Sequence, residues 1–137
     1  MSIKKVRIGV LDIQGSVEEH LTMLEKIGAC AVAVKTKKDL DLIDGLIIPG
    51  GESTTIGKLM KAYSLDREIR RRIQSSTLTL WGTCAGAILL AKKIHNRRSD
   101  SLGFMDVEIA RNAYGRQIDS FETEISVPVL KKKIAAV

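Results

Sequence analysis

The chain has 137 residues and a mass of 15.0 kDa, which suits one domain with a buried core, and we expect a single domain over residues 1–137. With 45% hydrophobic and 28% charged residues, it has the composition of a soluble globular protein, and no apolar run reaches the roughly 18 residues of a membrane span. The net charge of +6 is spread along the chain and only 4% of residues are aromatic, so we expect neither a nucleic-acid partner nor a membrane.

The chain begins with a strand-like segment that has no cleavage site, so no secretory signal is predicted. Its two cysteines form neither a disulfide framework nor a metal ligand set. We therefore expect a cytoplasmic protein without a metal or a cofactor.

Strand-like and helical patterns alternate along the first half of the chain. Short apolar runs predict buried strands, and apolar residues three or four apart predict amphipathic helices. The predicted elements are a strand at 6–13, a helix at 17–27, a strand at 31–34, a helical turn or two within 36–42, a strand at 45–48, and helices at 54–62 and 65–74.

The first helix carries signals at both ends. Ser16, followed three residues later by Glu19, predicts a capping box, and Gly28 stands where a C-terminal cap is expected. The helical spacing predicts an inward-facing stripe of Val17, Leu21, Leu24 and Ile27.

Residues 78–90 predict a cysteine nucleophile. A strand-forming run enters Gly82-Thr83-Cys84-Ala85-Gly86, and a predicted helix from Ala85 to about Ile94 leaves it, which is the layout of a nucleophile elbow. The start of a helix favours a thiolate, and the N–H of Ala85 is placed to donate to an oxyanion. The alternative for Cys84 is a buried structural cysteine, which is also our interpretation of Cys30.

Alternating strands and helices with short turns predict an α/β protein, a flavodoxin-like three-layer sandwich with a mostly parallel central sheet. In such sheets, ligands bind beyond the carboxyl ends of the strands. The loops at 14–15, 49–55 and 82–86 all lie at such ends, so we expect them to converge on one site. After residue 103, alternation at 104–109 and 118–127 predicts a small antiparallel excursion of two paired strands, and from Pro128 onward the signal fades.

Four segments together resemble the glutaminase subunits of pyridoxal 5′-phosphate synthases, which are triad-type class I glutamine amidotransferases. The segments are residues 11–15, 49–55, 82–86 and 111–117. The resemblance implies hydrolysis of L-glutamine to glutamate and ammonia through a thioester on Cys84. It implies oxyanion N–H donors at Gly51 and Ala85, and a supporting role for Gln14. The residues it implies for glutamine binding are Gly51, Glu52, Ser53 and Arg111.

The resemblance also implies a partner, a synthase subunit that receives the ammonia for vitamin B6 biosynthesis within a hetero-oligomer. It implies, finally, a triad histidine and glutamate in a His-Pro-Glu context, which these 137 residues do not contain. We therefore expect a C-terminally incomplete glutamine amidotransferase domain.

The two histidines of the sequence are poor substitutes for a triad base. On a continuous helix His95 would lie roughly 16 Å from Cys84, and His20 is interpreted as a partly buried or surface residue. One alternative is a catalytically incomplete relative that keeps the fold and the partner surface. Another is a flavodoxin-like cysteine redox or stress module, although such a module would not need the glutamine-binding loop.

Overall fold

The computed structural model describes residues 5–95 and 101–136, and its centre is a four-stranded parallel sheet in the order β2-β1-β3-β4. Each strand is a short run with β-branched or apolar residues, as expected for a parallel sheet that is covered on both faces. The strands are β1 (Arg7–Leu11), β2 (Cys30–Val34), β3 (Gly45–Ile48) and β4 (Thr79–Gly82).

Helices lie on both faces of this sheet, as predicted for a three-layer sandwich. Alternating residues of the strands point to opposite faces, so Val10 and Ile47 pack with Leu24 of one helix, whereas Leu11 and Ile48 belong to the larger core on the other side. Helix α1 (Val17–Lys26) covers the first face, and α2 (Ser53–Ala62), α3 (Leu65–Gln74) and α4 (Ala85–Leu90) cover the second.

The two ends of α1 agree only in part with the prediction. At its C-terminus Gly28 has φ +74° and donates its N–H to Glu25 O at 2.9 Å, and Ala29 N–H donates to Leu24 O, which is a Schellman motif. The predicted capping box is wrong, because the Ser16 hydroxyl makes no capping bond and lies 3.4 Å from Gly50 O instead. Ile27 is 69% exposed, so the inward stripe ends before it.

The helix after the elbow is shorter than predicted. It ends at Leu90, and Ala91–His95 forms strand β5, which pairs in parallel with β6 (Met105–Ala110). The apolar run ends at Ala91, and in Ala91–His95 exposed Lys92 and Lys93 separate buried Ala91 and Ile94, so the pairing with β6 makes this segment a strand. The predicted pairing of 104–109 with 118–127 is therefore wrong.

The antiparallel pair after residue 103 consists of β7 (Thr123–Val127) and β8 (Lys132–Ala136). A 3₁₀ turn at Pro128–Leu130 connects them, in a segment for which the sequence predicts no element. Within 36–42, the expected helical turn is a 3₁₀ turn at Asp39–Leu42. In the described residues, no helix is long and apolar enough to cross a membrane.

Candidate active site

Cys84 stands at a strained turn between β4 and α4. Its backbone has φ +49° and ψ −108°, a conformation that a residue with a side chain rarely adopts, and its side chain is exposed. The chain around it is fixed by Thr83 N–H, which donates to Ile48 O at 3.1 Å, and by Gly86 N–H, which donates to Thr83 O at 2.9 Å. The elbow therefore presents a thiol to solvent at the end of the sheet.

Two glycines make this turn possible. A Cβ at Gly86 would lie 1.9 Å from Ile48 O, and a Cβ at Gly82 would lie 2.5 Å from the carbonyl carbon of Gly86. Neither space admits a side chain, because real Cβ contacts are never this short. The Gly-x-Cys-x-Gly spacing is thus required by the close approach of α4 to β3 and β4.

The three loops that the sequence analysis selected meet beside Cys84. A Cβ at Gly50 would lie 3.4 Å from the Cβ of Cys84, so the double-glycine loop after β3 is in contact with the elbow. A Cβ at Gly15 would lie 1.9 Å from Gly50 O, so the loop after β1 is packed directly on the double-glycine loop. Convergence at the carboxyl ends of neighbouring strands produces this arrangement.

The peptide between Gly50 and Gly51 is held from the α1 side. Gly50 O accepts hydrogen bonds from Ser16 N–H at 3.0 Å and from the Ser16 hydroxyl at 3.4 Å. Because a trans peptide is planar, the N–H of Gly51 points away from Ser16. Gln14 Oε1 accepts from Glu52 N–H at 3.0 Å, which fixes the other end of the same loop.

Ala85 is the first residue of α4, and its side chain is buried. The first N–H groups of a helix have no partner within the helix, so the N–H of Ala85 is available to a ligand at this turn.

Glu52 caps helix α2 with its side chain. Its carboxylate accepts from Thr54 N–H at 3.1 Å, Thr55 N–H at 2.7 Å and the Thr55 hydroxyl at 2.9 Å. These hydrogen bonds, led by the one from Thr54 N–H, lower the pKa of Glu52 to about 2. Arg111 Nη2 lies 3.9 Å from Glu52 Oε1, so the arginine after β6 is brought to the double-glycine loop, while Ser53 is buried at the start of α2.

Neither histidine has the partner that a catalytic base would need. His20 Nε2 lies 2.9 Å from the hydroxyl of Thr83, and His95 Nε2 lies 2.9 Å from a carboxylate oxygen of Glu108. His95 is on β5 rather than on a continuation of α4, so the helical distance estimate does not apply to it. The contact between His20 and Thr83 joins residues 63 positions apart, so no local pattern of the sequence predicts it.

The structure also bears on metal binding and on the second cysteine, Cys30. Among residues 5–95 and 101–136, no three His, Cys, Asp or Glu side chains are grouped as metal ligands would be. Cys30 is half-buried in β2 rather than fully within the core, whereas Cys84 is exposed. Cys84 is thus the more accessible of the two thiols.

The fold and this site define an α/β protein with a cysteine elbow at the carboxyl end of its sheet. Residues 10–137 match the model of the SNO glutamine amidotransferase family, and the chain belongs to that family. The resemblance stated from the sequence is therefore confirmed at the level of the family.

Relatives and solved structures agree with this assignment. The chain is 47% identical over 127 residues to the pyridoxal 5′-phosphate synthase subunit PdxT of Thermotoga neapolitana, covering 93% of this chain and 67% of the relative. It is 52% identical over 122 residues to PdxT of Brevibacillus brevis, covering 89% and 63%. A crystal structure of a glutamine amidotransferase superposes with a TM-score of 0.82 at 43% identity, covering 93% and 68%. The chain thus spans about two thirds of the length of these proteins.

Proposed function

We propose that this chain is the glutamine-hydrolysing component of a pyridoxal 5′-phosphate synthase, with Cys84 as its nucleophile. The observation that carries the proposal is the exposed thiol of Cys84 on a strained elbow, with Gly50 in contact with it. The match to the SNO glutamine amidotransferase family supports the choice of glutamine over other amides.

In the proposed reaction, the thiolate of Cys84 attacks the side-chain amide carbon of glutamine. The new C–S bond turns the carbonyl oxygen into an oxyanion, which accepts hydrogen bonds from the N–H groups of Ala85 and Gly51. The C–N bond then breaks, and ammonia leaves after its nitrogen has gained a proton. Water cleaves the thioester, which releases glutamate and restores the thiol.

Glu52 and Arg111 suit the charged end of the substrate. Free glutamine carries an α-ammonium and an α-carboxylate, and these two side chains offer one negative and one positive group 3.9 Å apart. The hydrogen bonds that lower the pKa of Glu52 to about 2 keep its carboxylate charged at neutral pH. In this proposal Gly51 and Ser53 line the same pocket with backbone groups, and Gln14 keeps the loop in place through Glu52 N–H.

The reaction needs a base that moves protons between the thiol, the leaving nitrogen and water. His20 and His95 are engaged with Thr83 and Glu108. We therefore assign this role to a histidine outside these 137 residues, in a His-Pro-Glu segment of the kind that the resemblance implies. The partner is a synthase subunit that takes up the ammonia in a hetero-oligomer.

Labelling with an electrophilic analogue of glutamine, such as its chloroketone, tests the nucleophile and the substrate together. Mass spectrometry should find the label on Cys84, with Cys30 of the same molecule as the internal control. L-Glutamine should slow the labelling, and L-glutamate should slow it less. Labelling of Cys30 in preference to Cys84 would contradict the elbow assignment, and labelling that glutamine does not slow would contradict the substrate.

A catalytically incomplete relative is the second candidate, and the observation that favours it is that His20 and His95 contact Thr83 and Glu108 rather than the thiol of Cys84. Such a protein would bind glutamine and the synthase subunit without releasing ammonia. A glutaminase assay of the complex, using a chain that extends through a His-Pro-Glu segment, separates the two candidates.

A further inference from the structure

We propose that His20 is a positioning residue for the nucleophile elbow. Through Thr83 it holds the backbone on the N-terminal side of Cys84 in the conformation that projects the thiol from the turn. The effect of His20 on the geometry of Cys84 is argued only from the contacts around the elbow. Its consequence for catalysis rests on the proposed function.

The side chain of His20 contacts the two residues next to Gly82, the last residue of β4. Its Nε2 lies 2.9 Å from Thr83 Oγ1, and its ring meets the ring of Trp81 edge-on, with centroids 6.2 Å apart and planes at 72°. Trp81 and Thr83 flank Gly82, the glycine that allows α4 to approach the strand. One side chain of α1 is therefore in contact with the elbow at two points.

The elbow needs such support because Cys84 is strained. A residue with φ +49° and ψ −108° keeps that conformation only where its surroundings over-determine it. The backbone of Thr83 is held by its N–H, which donates to Ile48 O, and by its carbonyl, which accepts from Gly86 N–H, and neither bond involves its side chain. The contact with His20 fixes the Thr83 hydroxyl as well, and it comes from a separate element of the fold.

The start of helix α1 also holds the double-glycine loop, which is in contact with Cys84. Ser16, which precedes α1, binds Gly50 O through its N–H and its hydroxyl. Ser16 and His20 are four residues apart, which places them on one face of the helix end, one turn from each other. The same helix thus sets the position of Cys84 relative to the peptide of Gly50 and Gly51.

Two matched pairs of variants test this role in the 137-residue chain. His20→Phe keeps a ring against Trp81 but removes the hydrogen bond, and His20→Gln keeps a polar group that can reach the hydroxyl. Thr83→Val removes the hydroxyl at nearly constant shape, and Thr83→Ser keeps it. The readout is the rate constant for alkylation of Cys84 by iodoacetamide at fixed pH, with Cys30 as reference and the thermal midpoint as the measure of folding.

We expect His20→Phe and Thr83→Val each to slow alkylation of Cys84 about three- to tenfold, the range that one hydrogen bond supplies. His20→Gln and Thr83→Ser should stay within about twofold of the unmodified chain. The double variant H20F/T83V should be no slower than either single one, because both changes remove the same interaction.

Three results would overturn the proposal. They are an unchanged rate in His20→Phe, a rate in His20→Gln as low as in His20→Phe, and losses that multiply in the double variant. The second would mean that the imidazole itself acts, as a proton-transferring base would. If His20→Phe fails to fold, the pair at Thr83 decides, since an equal rate in Thr83→Val and Thr83→Ser also overturns the proposal.

Iodoacetamide requires neither glutamine nor the synthase subunit, so this result is independent of the proposed function. A separate measurement of glutaminase turnover uses the complex of the synthase subunit with a chain that extends through a His-Pro-Glu segment, and it should show a lower kcat for His20→Phe at unchanged KM. Absence of turnover in that complex without the substitution would refute the proposed function, while the alkylation rates would still decide the role of His20.

Discussion

Replacement of Gly15 by alanine should damage the protein more than the same replacement at Gly28. Both glycines have positive φ, +109° and +74°, which disfavours any residue with a Cβ. They differ in their surroundings, because a Cβ at Gly15 would lie 1.9 Å from Gly50 O, whereas a Cβ at Gly28 would have nothing within 4 Å. Gly28→Ala is therefore a control for backbone strain alone.

The difference between the two variants follows from the contact at Gly50. At either position the left-handed conformation costs about 1–2 kcal/mol in a residue with a side chain. At Gly15 the carbonyl of Gly50 must also move, which breaks the hydrogen bond from Ser16 N–H and costs about 1 kcal/mol more. Together with the overlap itself, we expect a loss of about 3 kcal/mol or more in Gly15→Ala and about 1–2 kcal/mol in Gly28→Ala.

Urea unfolding followed by circular dichroism measures both free energies of unfolding, and alkylation of Cys84 reports the site. Gly15→Ala should change the alkylation rate, because Gly50 is in contact with Cys84, and Gly28→Ala should leave it unchanged. Equal losses of stability in the two variants would refute the argument that the loop after β1 is packed on the double-glycine loop.

Three further predictions follow from the site. Hydrogen bonds from Thr54 and Thr55 lower the pKa of Glu52 from its ordinary 4.5 to about 2, so the charged carboxylate stabilises the fold above pH 4.5 and this stabilisation is lost as the pH falls toward 2. Glu52→Gln should therefore make the thermal midpoint less dependent on pH in that window. We expect the Gly51 N–H to turn into the site only when the synthase subunit docks, because two hydrogen bonds from Ser16 hold the peptide between Gly50 and Gly51 in place. A chain that extends through a His-Pro-Glu segment should therefore hydrolyse glutamine slowly alone and with a higher kcat in the complex, and equal kcat in both states would count against this rotation. The 137-residue chain should not turn over glutamine even with its partner, whereas a chain extended through a His-Pro-Glu segment should do so several orders of magnitude faster; comparable turnover by both would show that a base is present within these residues.

The sequence predicts the central sandwich well because its signals are local. Strand β3 (Gly45–Ile48) and helix α3 (Leu65–Gln74) begin and end at the predicted residues. A glycine and a proline mark the ends of the strand, and the helix has an apolar stripe of Leu65 and Ile69 against a highly charged face. The meeting of the three loops also follows, because parallel strands direct their carboxyl ends to one edge.

The second half of the chain is harder to predict because its pairings are not local. Residues 89–94 are compatible with either a helix or a strand. The ion pairs from Lys92 to Asp106 and from Lys93 to Glu108 form only once β6 lies alongside. Alternation in the sequence identifies a strand, but it does not say which strand is its neighbour. That is why β6 was assigned to the wrong partner.

At the start of helix α1, a contact with the site replaces the capping box that the local sequence predicts. Ser16 and Glu19 have the spacing of a capping box, yet the Ser16 hydroxyl lies near Gly50 O, 34 positions away, rather than near the backbone of its own helix. A capping bond of this kind is worth about 1 kcal/mol, so its loss must be offset by contacts of the folded protein. Those contacts are the carbonyl of the double-glycine loop at Ser16 and the Thr83 hydroxyl at His20. Local rules fail most readily where residues serve a site rather than their own element, and the failed cap at Ser16 therefore marks α1 as a part of the site.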